Sequence, residues 1–264
     1  MNSRTETASR RTQKSSKKKR TNKTGRIILS IFRVIVFFAV VFSVIIGGIL
    51  AGMTLAYVAT TEDLTAEQLV LTGFTTRVYD CNGNEIMALQ GDKNREMVDF
   101  KDIPQDLKDA FVAIEDKRFY KHPGIDVKRI AGAVINFFKP GASSYGGSTI
   151  TQQVIKNLTG NDERSVKRKI QEWKLALSLE RNLSKDQILE LYLNLIYMGQ
   201  NCYGVQAAAQ TYFNKDVSEL TLAECASLAG ITNLPGKYDP FTEKGRENNI
   251  KRQRIILKEM MEQG

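Results

Sequence analysis

One continuous apolar stretch near the amino terminus limits what this chain can become. Residues 27–59 contain a single charge, Arg33, and positions 34–59 carry none. At ~1.5 Å per residue, even twenty of these residues would cross a ~30 Å hydrocarbon core. The segment is predicted to be one transmembrane helix, so the remainder must be built around an anchored end. A cleaved signal peptide is the rival reading, but the run is far longer than a signal peptide's apolar region, and Tyr57 spoils a small-x-small pattern before Ala59. Residues 1–26 hold ten Lys or Arg and one acid, Glu6, a net of 10 − 1 = +9, which equals the +9 of the whole chain. The basic character therefore belongs to the tail, and everything after it is balanced. Such a tail has too few apolar residues to bury a core, and a basic run directly before an apolar span follows the positive-inside rule. The tail is expected in the cytoplasm, with residues 60–264 on the extracytoplasmic side of the cytoplasmic membrane. Its natural partner is anionic lipid, and nucleic acid is not called for. Gly47, Gly48 and Gly52 carry little weight as a dimerisation face, because glycine is frequent in membrane spans.

Cysteine and histidine usage excludes one class of protein. The chain has three cysteines, Cys81, Cys202 and Cys225, with no C-x-x-C spacing, and a single histidine, His122. A structural zinc site needs several nitrogen or sulfur ligands and is not expected. An isolated disulfide is the alternative, but Cys202 and Cys225 lie among apolar helix positions and read more simply as buried thiols.

After the span, residues 60–103 are predicted to be a linker and a β-hairpin. Thr75–Asp80 and Glu85–Leu89 flank Cys81-Asn82-Gly83-Asn84, an Asn-Gly turn between two strand-like runs. From Pro104 the pattern is helical to the end of the chain. Leu107, Ala110, Phe111 and Ile114 recur at i, i+3, i+4, i+7, which puts Glu115 at the end of an amphipathic helix beside its buried face. Ser184 with Gln187, and Thr221 with Glu224, are further helix starts of the capping-box type, and a charged helix runs from about Glu243. Ile130–Phe138 is strongly apolar. It reads equally as core or as a segment that dips into a membrane interface, with Lys139 at the headgroups. About two hundred residues of mainly helical chain suffice for one domain with a sizeable core.

The chemistry concentrates between residues 115 and 180. Gly146-Gly147-Ser148 precedes a Thr149-x-x-Gln152 capping box, so a helix is expected to start there with its first amides facing an anion. Thr149, Gln153 and Lys156 share one face, while Ile150, Val154 and Leu158 share another. Glu115 and Glu172 are the acid-base candidates, since a partly desolvated carboxylate is the better proton acceptor. The plainer reading of Glu172 is an ion pair with Arg168 one turn earlier, and Glu115-Asp116 could be a solvated helix end. His122, before Pro123, is more simply a structural hydrogen-bonding residue than a base. Lys156, Arg168 and Lys169 could each be surface charge. Together, however, two carboxylates, a phosphate-ready helix start and several cations suit a sugar-diphosphate substrate, where a base activates an alcohol and cations stabilise the leaving pyrophosphate.

Five ordered stretches carry a family resemblance. They are Glu115-Asp116-Lys117-Arg118-Phe119-Tyr120-Lys121-His122-Pro123-Gly124; Gly146-Gly147-Ser148-Thr149-Ile150-Thr151-Gln152-Gln153 with Lys156-Asn157; Arg168-Lys169-x-x-Glu172 through Glu180; Ile188-Leu189-Glu190-x-Tyr192-Leu193-Asn194 through Gly199; and Gly204 onward through Thr221, Glu224, Gly230 and Pro235. The set resembles the peptidoglycan glycosyltransferases, the transglycosylase domains of class A penicillin-binding proteins and of monofunctional transglycosylases. Asp116-Lys117-Arg118 departs from the family's usual Asp-Arg in the type of one cation. The resemblance implies a mainly α, lysozyme-like bilobed fold with a head and a membrane-associated jaw, over residues 104–264. It implies polymerisation of lipid II into β-1,4-linked glycan with release of undecaprenyl diphosphate. Glu115 resembles the family's catalytic base and Glu172 its second catalytic glutamate, which assists the donor diphosphate together with a divalent cation, Mg²⁺ or Mn²⁺; Glu115 is the expected protein ligand of that ion. Asp116, Thr149, Gln153, Lys156, Asn157, Arg168, Lys169 and Tyr197 fall on substrate-cleft positions, with Phe119 and His122 in support. Implied partners are lipid II, the growing glycan strand, the bilayer and other cell-wall synthesis proteins.

Two further readings compete. A lysozyme-like glycan-cleaving enzyme would leave the cations and the anchor unexplained, and a non-catalytic envelope scaffold would be expected to have lost Glu115 or Glu172. The hairpin resembles the lead-in of bifunctional proteins, so the chain is expected to be an amino-terminal piece of a longer one. Lys23-Thr24-Gly25 and Ser15-x-x-Lys18 imitate transpeptidase motifs but sit in the basic tail, so no β-lactam site is expected in these residues.

Overall fold

The computed structural model describes residues 23–65, 76–83, 85–89, 93–137, 147–163 and 165–264. It divides into two units, Met1–Met53 and Thr54–Gly264. In the first unit every described residue belongs to helix α1, Lys23–Ala59, whose apolar side chains are exposed along its length. Residues Gly25–Ala59 have the length and composition to cross a membrane, as the sequence implies.

The second unit is mainly helical. Strands β1, Thr76–Tyr79, and β2, Glu85–Leu89, pair antiparallel as the predicted hairpin. Its turn is held by Asp80, which accepts from the Asn82 and Gly83 amides, and Gly83 takes the φ of +84° that a side chain would disfavour. A second, parallel pair joins β3, Asn94–Arg95, to β4, Cys202–Tyr203. Asn194 meets both the amide and the carbonyl of Val98, and Ile103 is buried in the core. The stretch from 94 to 103, expected as linker, is thus built into the helical unit.

The helices follow as α2, Gln105–Glu115; α3, Val127–Phe137; α4, Ile150–Thr159; α5, Val166–Asn182; α6, Lys185–Leu195; α7, Val205–Phe213; α8, Leu222–Ile231; and α9, Glu243–Gln263. The capping boxes at Thr149, Ser184 and Thr221 all form, each with the hydroxyl on the N3 amide and the N3 side chain reaching back. Two packed groups result. Helices α8 and α9 pack on each other and on α2, while α4 packs between α5 and α6. Phe111 of α2 and Tyr192 of α6, both fully buried, meet edge to face at 5.8 Å and join the groups. Cys202 and Cys225 are free buried thiols, as expected, and Cys81 is free and exposed. The apolar side chains from Ala133 onward in α3, on which the core-or-interface question turned, lie outside the described residues.

Candidate active site

The site lies where four helix ends converge. Helix α2 buries Leu107, Ala110 and Phe111, and its last residue, Glu115, emerges half-buried at the rim of that face. Its two carboxylate oxygens meet different elements. Oε2 accepts from Gln153 Nε2 of α4 at 2.9 Å, and Oε1 lies 3.3 Å from the Thr232 hydroxyl just beyond α8. Both donors are neutral. The next residue, Asp116, is fully buried and accepts from His122 Nε2 at 3.0 Å, from Arg129 at 3.3 Å and from the Ile150 amide at 3.1 Å. His122 Nδ1 accepts from the Gly124 amide, so the proton facing Asp116 is on Nε2.

This arrangement corrects one expectation. The start of α4 was expected to face a phosphate, but its first amide is bound by the protein's own anion, Asp116, and the amides of Thr149 and Gln152 are used within the capping box. The cause is close packing. The Thr149 hydroxyl donates to the Gly124 carbonyl at 2.6 Å, which seats the whole helix start against the loop after α2. Asp116, Phe119 and Thr149 are fully buried and His122 almost so, and all four support the helix ends from behind.

Glu172 lies on α5 and is also buried. Arg168 donates to its Oε2 at 2.6 Å, and Lys169 binds its Oε1. The ion pair read from the i, i+4 spacing is therefore present, but it is one edge of a larger cluster. Lys169 also donates to Ser148 Oγ at 2.9 Å and to Gln152 Oε1 at 3.2 Å, so the end of the glycine turn and the first turn of α4 are attached to Glu172. Two cations against one carboxylate leave the cluster with one net positive charge. Beside it, Lys156, Arg168 and Glu172 line a pocket of about 290 Å³ together with Thr60, Thr61 and Glu62. Lys156 forms an exposed ion pair with Asp162 at 2.9 Å, and Asn157 is exposed on the same helix. Tyr197 is exposed and packs its ring against Tyr203, with centroids 5.0 Å apart and planes tilted by 47°.

Adjacent residues of α4 thus connect the two glutamates. Gln153 holds Glu115, and Gln152 holds Lys169, which holds Glu172. The environments differ in kind. Glu115 faces neutral donors, suited to a group that gains and loses a proton, whereas the Glu172 cluster suits the binding of an anion. Sequence reasoning missed Thr232, 117 residues from Glu115, because no local pattern points to it.

A resident divalent cation needs several oxygen ligands gathered at one point. Among the described residues no group of three or more His, Cys, Asp or Glu side chains could hold a metal. Glu172 already has Arg168 and Lys169 where a cation would sit, and Glu115 contributes one carboxylate with both oxygens engaged. Among the described residues, therefore, the metal-ligand role expected of Glu115 has no set of protein ligands that would complete a resident site.

Comparison with known proteins gives consistent matches. The family described as Transglycosylase matches residues 82–261. Penicillin-binding protein 1A of Clostridium botulinum (strain Langeland) is 40% identical over 255 residues, covering 94% of this chain and 30% of the relative. Penicillin-binding protein 1A of Neisseria flavescens is 49% identical over 187 residues, 71% of this chain and 23% of its own. Penicillin-binding protein 1A/1B of Bacillus subtilis is 45% identical over 199 residues, 75% and 21%. The chain spans less than a third of the length of these relatives.

Proposed function

We infer the function of this chain from one premise: it belongs to the transglycosylase family, whose match covers residues 82–261. The reading is a membrane-anchored peptidoglycan glycosyltransferase of bacterial cell-wall synthesis. Its substrate is lipid II, its product a β-1,4-linked glycan strand, and its leaving group undecaprenyl diphosphate. The observation that carries this reading is the unequal pair of glutamates on either side of the first turn of α4.

In this mechanism Glu115 takes the proton of the acceptor sugar's 4-hydroxyl. The freed oxygen pair forms the new bond to C1 of the donor, and the C1–oxygen bond to the diphosphate breaks with its pair on the leaving group. Attack opposite to departure inverts C1. Gln153 supports the reading because it fixes the carboxylate against rotation, leaving less to reorganise at the moment of transfer. Arg168 and Lys169, oriented by Glu172, suit the negative charge that grows on the diphosphate. A divalent cation, Mg²⁺ or Mn²⁺, is proposed to arrive with the diphosphate oxygens rather than to reside on the chain, as Mg²⁺ commonly binds through substrate phosphates.

The apolar helix α1 supports membrane anchoring, which a lipid-linked substrate requires. The basic residues before it support a cytoplasmic amino terminus with the catalytic unit outside. Proposed partners are the growing glycan strand, the bilayer and other cell-wall synthesis proteins.

The test is polymerisation of labelled lipid II by the detergent-solubilised protein beside Glu115→Gln, each with and without Mg²⁺. Long glycan from wild type and none from the variant supports the reading. Polymer from Glu115→Gln at the wild-type rate overturns the assignment of the base.

A further inference from the structure

Thr232 lies within the fifth stretch, between Gly230 and Pro235, but neither the resemblance nor the mechanism gives it a role. It follows α8 directly, with helical backbone angles of −58° and −31°, and its hydroxyl has two acceptors in reach: the Ala229 carbonyl at 3.0 Å and Glu115 Oε1 at 3.3 Å. A threonine hydroxyl has one proton and two lone pairs. It can therefore donate to only one of these acceptors at a time.

The element that presents it is rigid. The Ser227 hydroxyl of α8 donates to Asn249 Oδ1 of α9, and Asn249 Nδ2 returns to the Ser227 carbonyl at 3.1 Å, with both side chains buried. Gly230 approaches Arg252 of α9 so closely that an added Cβ would lie 3.1 Å from its Cγ. Helices α8 and α9 both pack on α2, so the hydroxyl is fixed relative to the carboxylate at the end of α2. Gln153 occupies the other carboxylate oxygen from the opposite side.

We propose that Thr232 is a positioning residue whose hydroxyl follows the protonation state of Glu115. While Glu115 is ionised, the hydroxyl proton points to Oε1 and stabilises the charge. Once the carboxylate has taken the acceptor's proton, the hydroxyl turns its proton to the Ala229 carbonyl and offers Glu115 a lone pair. The carboxyl group thereby keeps a partner on Oε1 in both states, while Oε2 accepts from Gln153 Nε2 throughout. This inference rests on Glu115 being the base.

The other groups facing Glu115 set the background for a pH test. Arg129 of α3 donates to the Glu115 backbone carbonyl at 2.6 Å and to Asp116. Asp116 is also engaged by His122. The Tyr192 hydroxyl of α6 is buried and held well above the usual phenol range, by burial first and then by the charges of Glu115 and Asp116. From α9, Glu259 is taken by Lys117. The hydrogen bonds and ion pairs that hold Arg129, Asp116, His122 and Glu259 do not involve the Thr232 hydroxyl, so Thr232→Val and Thr232→Ser leave those partners in place.

The experiment measures lipid II polymerisation against pH for the full chain, comparing wild type, Thr232→Val, Thr232→Ser and Glu115→Gln, with thermal unfolding of each. Removing a hydrogen bond to a charged group should lower kcat about tenfold at neutral pH and move the acid limb of the profile to higher pH, with KM little changed. Thr232→Ser should restore both. An acid limb that stays in place in a folded, active Thr232→Val, or a uniform loss at every pH that tracks lost stability, overturns the proposal. Should Thr232→Val fail to fold, a folded Thr232→Ser with kcat lowered about tenfold and the acid limb displaced overturns it too, because the hydroxyl is still present. Activity retained by Glu115→Gln would instead remove the mechanism on which the proposal rests.

Discussion

Gln153 of α4 donates its side-chain amide to Glu115 at the end of α2 across 2.9 Å, although 38 residues separate them. Its neighbour Gln152 accepts from Lys169, so one helix turn fixes both a lone carboxylate and a cation-bound one. The reading of Glu115 as a proton acceptor depends on that hold. Gln153→Ala should lower kcat by about ten- to a hundredfold with a smaller change in KM, because the carboxylate loses an orienting donor rather than a substrate contact. Gln153 is only half-buried, so its loss should cost about 1 kcal/mol of stability or less, which thermal unfolding would check.

Asp116 is expected to matter in a different way. It is fully buried, and His122, Arg129 and the first amide of α4 all depend on it. Asp116→Ala should destabilise the protein by about 3–5 kcal/mol, since it strands buried donors and a cation together. Asp116→Asn should cost less. Denaturant unfolding measures both, and an Asp116→Ala protein of normal stability but lost substrate affinity would mean that the residue contacts substrate instead.

The Arg118–Asp126 pair predicts an acid limit. Burial alone would raise the Asp126 carboxyl, but the Arg118 guanidinium and the Arg129 amide outweigh it and hold the group at about 2, below the ordinary 3.8. A depressed carboxylate contributes stability that is complete above its ordinary range and is lost as pH falls from about 4 through about 2. Asp126→Asn should therefore lose on the order of 2 kcal/mol at neutral pH and show a shallower decline between pH 4 and 2. Urea unfolding at pH 7, 4 and 2 makes the comparison.

Gly124 is a test of close packing behind the site. Its φ is +91°, and a Cβ there would sit 2.9 Å from the Ala176 carbonyl of α5. Its own carbonyl receives the Thr149 hydroxyl. Gly124→Ala should destabilise by about 2–4 kcal/mol, from backbone strain together with displacement of α5. The same change at Gly236, which has open space around it, should be within about 0.5 kcal/mol of wild type.

Much of the helical framework was legible in the sequence because its signals are local. Thr149 with Gln152, Ser184 with Gln187 and Thr221 with Glu224 each announced a helix start three residues wide, and the Asn-Gly turn announced the hairpin. The pairing of Asn94–Arg95 with Cys202–Tyr203 had no such signal, since two residues cannot display a period and their partners lie about a hundred positions away. The site divided along the same line. Glu115 and Glu172 stood out as carboxylates beside apolar faces, but the anion at the start of α4 proved to be Asp116, 34 residues earlier, a contact made by tertiary packing. Thr232 was invisible for the same reason.

The proposed function divides labour between Glu115 for the proton and the Arg168–Lys169–Glu172 cluster for the diphosphate. Its most direct test is equilibrium binding of lipid II, measured beside polymerisation, for Glu115→Gln and for the paired variant Arg168→Gln, Glu172→Gln, which removes a cation and its buried partner together. The account predicts that Glu115→Gln binds within about twofold of wild type yet forms no polymer, while the paired variant binds about tenfold or more weakly. Equal loss of binding in both, or wild-type binding by the paired variant, would contradict it.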